Sequence, residues 1–416
     1  LAYYHLIKYL NFYTLIFSWY NFMNSKKWIK IYLILILVIF VMPYGLSYIY
    51  LQANYENNSY SDIVKRQIKN DSIYGTALNG NTFAYKLELI KNVKPKIVAL
   101  GSSRVMQFRK EGFNTSFVNA GGGMNHLNEG YKFLENMYQY FKPEYIMLGL
   151  DFWWFNDNFP QPRYFPYHEN DGKSIGKNKI YKTLLWLING KINMSSFSNI
   201  LLNDKKIENQ YTNYDSLGFS AISTSDGFRS DGSRFYSKTV FGLKKSPDEN
   251  FSNTFKRIRD GDSRFQYGNE LSKNRVAILY KILELIKNNN TKIIVFIPPI
   301  ANATYKKMEG YQYGFVDRFR KLVKSLNVEN YDYHNLSVIT QNDCECVDGF
   351  HGGDVVYSRI LKNMYDNNSS ISKYIEIDNI NNSVNLYQGN VLTVNSGNIF
   401  KNQEVDFLKL GCKKQK

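Results

Sequence analysis

The chain has 416 residues, 44% hydrophobic and 21% charged, enough for one large or two ordinary domains and too apolar for disorder throughout. Lys and Arg number 52 against 36 Asp and Glu, a formal net charge of +16 that suggests an anionic partner or surface without naming one. No zinc-finger spacing, RNA-recognition signature or single basic helix accompanies the charge, so nucleic acid is not an expected partner; an acidic surface polymer or a lipid headgroup suits it better.

The first strong signal in chain order is apolar. From Ile31 to Met42 the sequence reads IYLILILVIFVM without a charge, and PYGLSYIYL carries the run to Leu51, roughly a bilayer's thickness of helix. Lys26, Lys27 and Lys30 precede it, whereas Glu56 and Asp62 follow. The positive-inside bias therefore predicts a type II anchor over 31–51, with 1–30 cytoplasmic and everything after Leu51 outside. A cleaved signal peptide is the competing reading. The run is long for one, and no small-x-small cleavage site follows it. The sequence begins with Leu1 and its first methionine is Met23, so 1–22 are read as lying ahead of an ordinary start, with LNFYTLIFSWYNF as a second membrane-embedded piece in the alternative.

Past the anchor, a helix is expected over 82–92, then a buried strand over 96–100 (KIVAL) and a second over 116–120 (SFVNA). Apolar positions at helical spacing run from Leu127 to Phe141, and YIMLGLD (145–151) makes a third strand. Periodicity then weakens over an insertion at 153–268, which holds one apolar helix at 180–189. Afterwards the alternation resumes, with a helix over 271–287, a strand over 292–299, a helix over 315–326, a strand over 328–333 and a final helix over 353–365. This order predicts an α/β domain over 80–365, a parallel sheet covered by helices on both faces. The Asn-rich stretch from Tyr374 suggests a few peripheral strands or a loose tail within 366–416. The three cysteines, Cys344, Cys346 and Cys412, do not make a disulfide scaffold, and whether one pair closes is open. No pattern supports zinc.

Open α/β sheets place their sites at the C-terminal ends of the strands. Three such places carry small or polar residues. Gly101-Ser102-Ser103-Arg104 presents Ser103 as a candidate nucleophile at a helix start, whose unpaired N–H groups can face an oxyanion. In Asn119-Ala120-Gly121-Gly122-Gly123, Gly121 is a candidate second donor. In Asp348-Gly349-Phe350-His351, the carboxylate can orient the imidazole that takes the serine proton, so Ser103, His351 and Asp348 make a candidate triad. Taken singly, each motif has a plainer explanation as a turn or an N-cap; the order and placement of all three carry the reading.

The blocks VALGSSR, FVNAGGG, GLDFWWF and DGFH, in that order, resemble the SGNH (GDSL-like) hydrolases. The likeness is greatest to their membrane-anchored branch, related to the D-alanyl transfer protein of teichoic acid synthesis and the alginate-type O-acetyltransferases. The resemblance spans about Lys96 to Leu361 without the insertion. It implies an SGNH-like (flavodoxin-like) three-layer fold, Ser103 as nucleophile, Gly121 as oxyanion donor, and Asp348 with His351 as the remaining triad. It also implies an extracytoplasmic serine esterase or O-acyltransferase of a bacterial cell-envelope polymer, without cofactor or metal, working with a multi-pass membrane O-acyltransferase beside membrane lipid. A catalytically inactive glycan-binding or assembly protein on the same fold is the alternative.

The third block departs from the family pattern, since Gly149-Leu150-Asp151-Phe152 stands where Gly-x-Asn-Asp is expected. An ionised Asp cannot donate to an oxyanion. Asp151 is therefore either protonated or bound to a substrate hydroxyl or to Arg104, unless Asn156 a turn later supplies the amide. Trp153, Trp154 and Phe155 read as a packed lid or as a stacking surface for a sugar. Asp226-Gly-Phe-Arg229 and Asp231-Gly-Ser-Arg234 read as Asp-Gly turns, or as two guanidinium groups offered to an anion. His126 reads as a surface or helix-start histidine, and Pro298-Pro299 as part of a cleft wall.

Overall fold

The computed structural model describes residues 25–78, 80–160, 180–192, 198, 215–393 and 403–414; the expectations for 1–22 and for much of the insertion lie outside them. The chain divides into two compact units, Leu1–Ala53 with Ile175–Lys206, and Asn54–Ser174 with Ile207–Lys416.

In the first unit, helix α1 (Lys26–Ala53) is the one helix among the described residues long and apolar enough to cross a membrane. Its 28 residues extend for about 42 Å, against a hydrocarbon layer of about 30 Å. A short π-helical turn, Leu37–Val41, interrupts it. In the same unit the Tyr44 ring meets the Tyr181 ring edge-on at 5.6 Å. Tyr181 precedes helix α2 (Lys182–Ile188), the observed form of the helix expected at 180–189.

The second unit is built on a five-stranded parallel sheet of β1 (Ile97–Gly101), β2 (Phe117–Gly121), β3 (Tyr145–Gly149), β4 (Lys292–Ile297) and β5 (Glu329–Asp332). Their spatial order is β2-β1-β3-β4-β5, all pairs parallel. The order reverses beside β1, the kind of switch point where doubly wound sheets open a crevice at their C-terminal ends. Alternate residues of the strands enter two separate cores. Val98, Leu100, Val118, Ala120, Ile146, Leu148, Val295 and Ile297 pack with α3 (Thr82–Val93), α4 (Leu127–Tyr138), α5 (Lys273–Asn288) and α6 (Gly314–Lys324). Ile97, Ala99, Tyr145, Met147, Ile294 and Phe296 pack on the other face with α7 (Asp354–Asp366) and with Ile380 of α8 (Ile377–Leu386). Both faces are thus covered, as near-continuous apolar strands require.

Two expectations need correction. The described part of the insertion is well organised: Ser216–Leu217, Gly227–Phe228 and Arg234–Phe235 join Ile73–Tyr74 in a four-stranded sheet. Its second Asp-Gly turn places the Asp231 carbonyl 2.8 Å from the Asn119 N–H, on the edge of β2. Arg229 is 5% exposed and bonds Asp354 at the start of α7 (2.8 Å), where Arg109 also arrives, while Arg234 pairs with Asp226. Neither guanidinium of the near-repeat is offered to a ligand. The described C-terminal tail, in turn, holds a helix and no strand, because apolar residues of 377–410 have a core to enter: Ile380, Val391, Leu392, Phe407 and Leu408 are all buried. A disulfide, Cys344–Cys412, ties its end to the turn before Asp348, and Cys346 stays a buried thiol.

Candidate active site

Ser103 is placed by a tight turn directly after β1. Gly101 and Gly149 end neighbouring strands, and a Cβ on either would come within 2.4 Å of Val105, so the turn fits over the sheet because both positions lack a side chain. The turn is a single 3-10 helix, Ser103–Val105, rather than the α-helix start expected. Ser102 spends its Oγ on the Arg104 N–H (3.2 Å) and its carbonyl on the Val105 N–H (3.1 Å). The Ser103 N–H has no hydrogen-bond partner among the described residues.

His351 and Asp348 come from a hairpin of β6 (Cys346–Asp348) and β7 (His351–Gly352). Ser103 Oγ lies 2.9 Å from His351 Nε2, and His351 Nδ1 lies 2.8 Å from Asp348 Oδ2. Asp348 Oδ1 also accepts the N–H groups of Phe350 (2.9 Å) and His351 (2.8 Å), which curls the hairpin around its own carboxylate. Burial raises the Asp348 pKa, but His351 and these N–H donors outweigh it and hold the carboxyl below its ordinary value. The three residues expected to act together are therefore brought into one hydrogen-bonded line, over sequence separations of 248 and 3.

The hairpin is held by Asp248, which the sequence reading did not single out. Its Oδ2 accepts the Gly349 N–H (2.8 Å) and the Thr254 hydroxyl (2.7 Å), while Oδ1 accepts the Thr254 N–H (2.9 Å). A Cβ on Gly349 would sit 2.7 Å from Thr254, so only glycine allows this approach. Asp248 follows Ser246-Pro247 in a stretch without periodicity, and a separation of 101 residues from Gly349 left no local signal.

The four other expected site residues play supporting parts. Arg104 is 1% exposed and sits beneath the site, reaching Asp151 Oδ1 (3.0 Å), the Phe350 carbonyl (3.0 Å) and the Pro298 carbonyl, with Trp153 beside it at 5.3 Å. It thus joins the Ser103 turn to the ends of β3 and β4 and to the His351 hairpin. Asp151 takes the Arg104 option among those open to it, and burial outweighs the guanidinium to keep its carboxyl above the usual range. As oxyanion donors, two expectations are corrected. The Gly121 N–H is committed to Asn119 Oδ1 (2.8 Å), because Asn119 folds back to bond the carbonyls of Val105 and Phe108 at 2.9 Å each. The Asn156 amide donates to the carbonyls of Gln266 (2.7 Å) and Tyr267 (3.2 Å), anchoring the loop after the insertion.

Trp153, Trp154 and Phe155 are 2%, 1% and 0% exposed, a packed layer and not an open platform. His126 caps α4, accepting the Glu129 N–H at 3.3 Å, and among the described residues it makes no hydrogen bond to Ser103, His351 or Asp348. Above the hairpin, the guanidinium of Arg264 lies 5.7 Å from the Phe350 ring and 5.8 Å from the Trp153 ring, and that of Arg257 lies 5.6 Å from Phe350. Burial lowers the Arg264 pKa, Asp151 and Asp348 pull it back up, and Arg257 and Arg104 push it down.

No family model, curated protein or solved structure matches the chain.

Proposed function

We propose that this protein is a serine acyl-esterase or acyltransferase that acts on O-acyl groups of a cell-envelope polysaccharide or teichoic-acid-like polymer through an acyl-Ser103 intermediate. The observation that carries this reading is the continuous line Ser103 Oγ, His351 Nε2, His351 Nδ1, Asp348 at 2.9 and 2.8 Å. The order of the blocks around Ser103, Gly121, Asp151 and His351 supports it through the resemblance to SGNH hydrolases of the membrane-anchored branch. Helix α1, with Lys26, Lys27 and Lys30 ahead of its apolar run, supports a type II anchor that holds the α/β unit outside the membrane. By the same resemblance, a multi-pass membrane O-acyltransferase delivers the acyl group.

Chemically, Ser103 Oγ attacks the acyl carbonyl carbon while its proton passes to His351 Nε2. Asp348 holds the Nδ1–H tautomer and offsets the imidazolium charge. The Ser103 N–H faces the developing oxyanion. As the tetrahedral carbon collapses, His351 returns the proton to the leaving polymer oxygen. Water or an acceptor hydroxyl, deprotonated by His351, then attacks acyl-Ser103, giving a carboxylic acid in hydrolysis or a new ester in transfer.

A second reading, an inactive polymer-binding protein on the same scaffold, is favoured by one observation. Gly121, Asn156 and Asp151 are all otherwise engaged, so the Ser103 N–H stands as a lone donor among those named. The two readings separate on acetate release from an O-acetylated oligosaccharide by the full chain in detergent micelles, with and without an acceptor sugar. Release or transfer that Ser103→Ala abolishes supports the enzyme. Equal signals from wild type and Ser103→Ala support the binding protein.

A further inference from the structure

Beside the His351 hairpin stand two arginines without a direct ion pair among the described residues. Arg264 and Arg257 share the Phe350 ring, adjacent to His351 in sequence, with ring centroids of Phe350 and His351 4.3 Å apart. Among the described residues neither side chain makes an ion pair, and their one side-chain hydrogen bond runs from Arg257 Nε to Asn253 Oδ1 (3.3 Å). Every other half-buried or buried arginine of the α/β unit named above has a carboxylate or carbonyl partner: Arg104 with Asp151, Arg109 and Arg229 with Asp354, Arg234 with Asp226. Arg257 lies close enough to Arg264 to lower the latter's pKa, against the pull of Asp151 and Asp348.

The backbone under this pair is also unusual. Ser263 and Arg264 adopt φ of +45° and +87°, a region that side-chain-bearing residues rarely occupy. Such backbone strain gathers at binding and catalytic sites. Here it holds the Arg264 guanidinium over the Trp153 and Phe350 rings. Stacking on aromatic faces leaves a guanidinium's edge donors available, the fork that matches a carboxylate or a phosphate.

We infer that Arg264 and Arg257 form a subsite for an anionic group, phosphate or carboxylate, carried by the polymer next to the acyl ester that Ser103 attacks. This rests on the function proposed above and narrows its substrate to an anionic polymer. The anion bridges the two guanidinium groups, while Phe350 keeps that anion in register with His351.

The test is equilibrium binding by the full chain in detergent micelles of three uncharged or charged oligomers: a glycerol phosphate trimer, a galacturonate trimer and maltotriose. The subsite predicts that at least one charged trimer binds and maltotriose does not. Arg264→Gln and Arg257→Gln should each weaken that binding at least tenfold and flatten its salt dependence, with melting temperatures unchanged, while Arg264→Lys recovers part of the loss. Binding of the phosphate trimer alone or of the galacturonate alone assigns the chemistry of the anion. Binding unaffected by both substitutions, or no binding of either charged trimer, overturns the inference. Fluorophosphonate labelling of Ser103 on the same samples separates it from the parent reading. Labelling without charged-trimer binding leaves the enzyme and removes the subsite, whereas Arg-dependent binding without labelling leaves the subsite and removes the enzyme.

Discussion

Arg104 and Asp151 form an ion pair of 3.0 Å in which each side chain is 1% exposed, one residue past Ser103 on one strand end and two past β3 on its neighbour. The pair makes Asp151 a mechanical link. Asp151 fixes the guanidinium that also holds the Phe350 carbonyl and hence the histidine hairpin.

Breaking this pair should be costly, because removing one partner leaves a buried charge without its counterion. Arg104→Ala is expected to lower stability by about 3–5 kcal/mol, and the double variant Arg104→Met with Asp151→Leu to regain part of that. Thermal melting of the full chain in micelles checks both. A single variant that melts with wild type would show that the pair does not hold the site together.

Asp348 gives a pH signature. Its carboxyl is depressed in the folded chain and near 3.9 in the unfolded one, so it adds stability above about pH 4 that is lost as pH falls through the folded value. Asp348→Asn should therefore destabilise the protein clearly at pH 6 and progressively less below about pH 4. The same loss at pH 6 and pH 3 would mean that the carboxylate is not held by His351 and the N–H groups around it.

The bond between Cys344 and Cys412 closes a loop with a sequence separation of 68, and it ties the tail to the turn leading into the triad hairpin. By the chain-entropy argument it is worth about 4 kcal/mol. Reduction, or Cys344→Ala, should lower the melting temperature accordingly. Thiol titration in denaturant should find one free thiol before reduction, that of Cys346, and three after. Three before reduction would exclude the bond.

The parallel sheet was legible because four of its strands are short apolar runs that end at a Gly or just before a Pro, and each strand was located within a few residues. The line from Ser103 to His351 and Asp348 was legible too, since strand ends and a local Asp-x-x-His spacing are both properties of contiguous sequence. What escaped was decided by neighbours far along the chain. The pairing of Arg104 with Asp151 was one of several options in the sequence, and the adjacency of β1 and β3 is what selects it. Asn119 captures the Gly121 N–H through a side-chain turn that spacing alone does not reveal. Asp248 reaches Gly349 from an aperiodic stretch, and Arg229 disappears from view because Asp354 waits for it 125 residues away. The C-terminal helix was hidden by its asparagines, poor helix formers overridden by the burial of Ile380.

Covalent labelling of the full chain by a serine-reactive fluorophosphonate, compared among wild type, Ser103→Ala and His351→Ala, reads the central claim most directly. The arrangement of Ser103, His351 and Asp348 predicts one labelled site, at Ser103, lost in the first variant and slowed at least a hundredfold in the second, an effect on the order of 3 kcal/mol in the barrier. A folded wild type that takes no label, or that labels equally after either substitution, would contradict it.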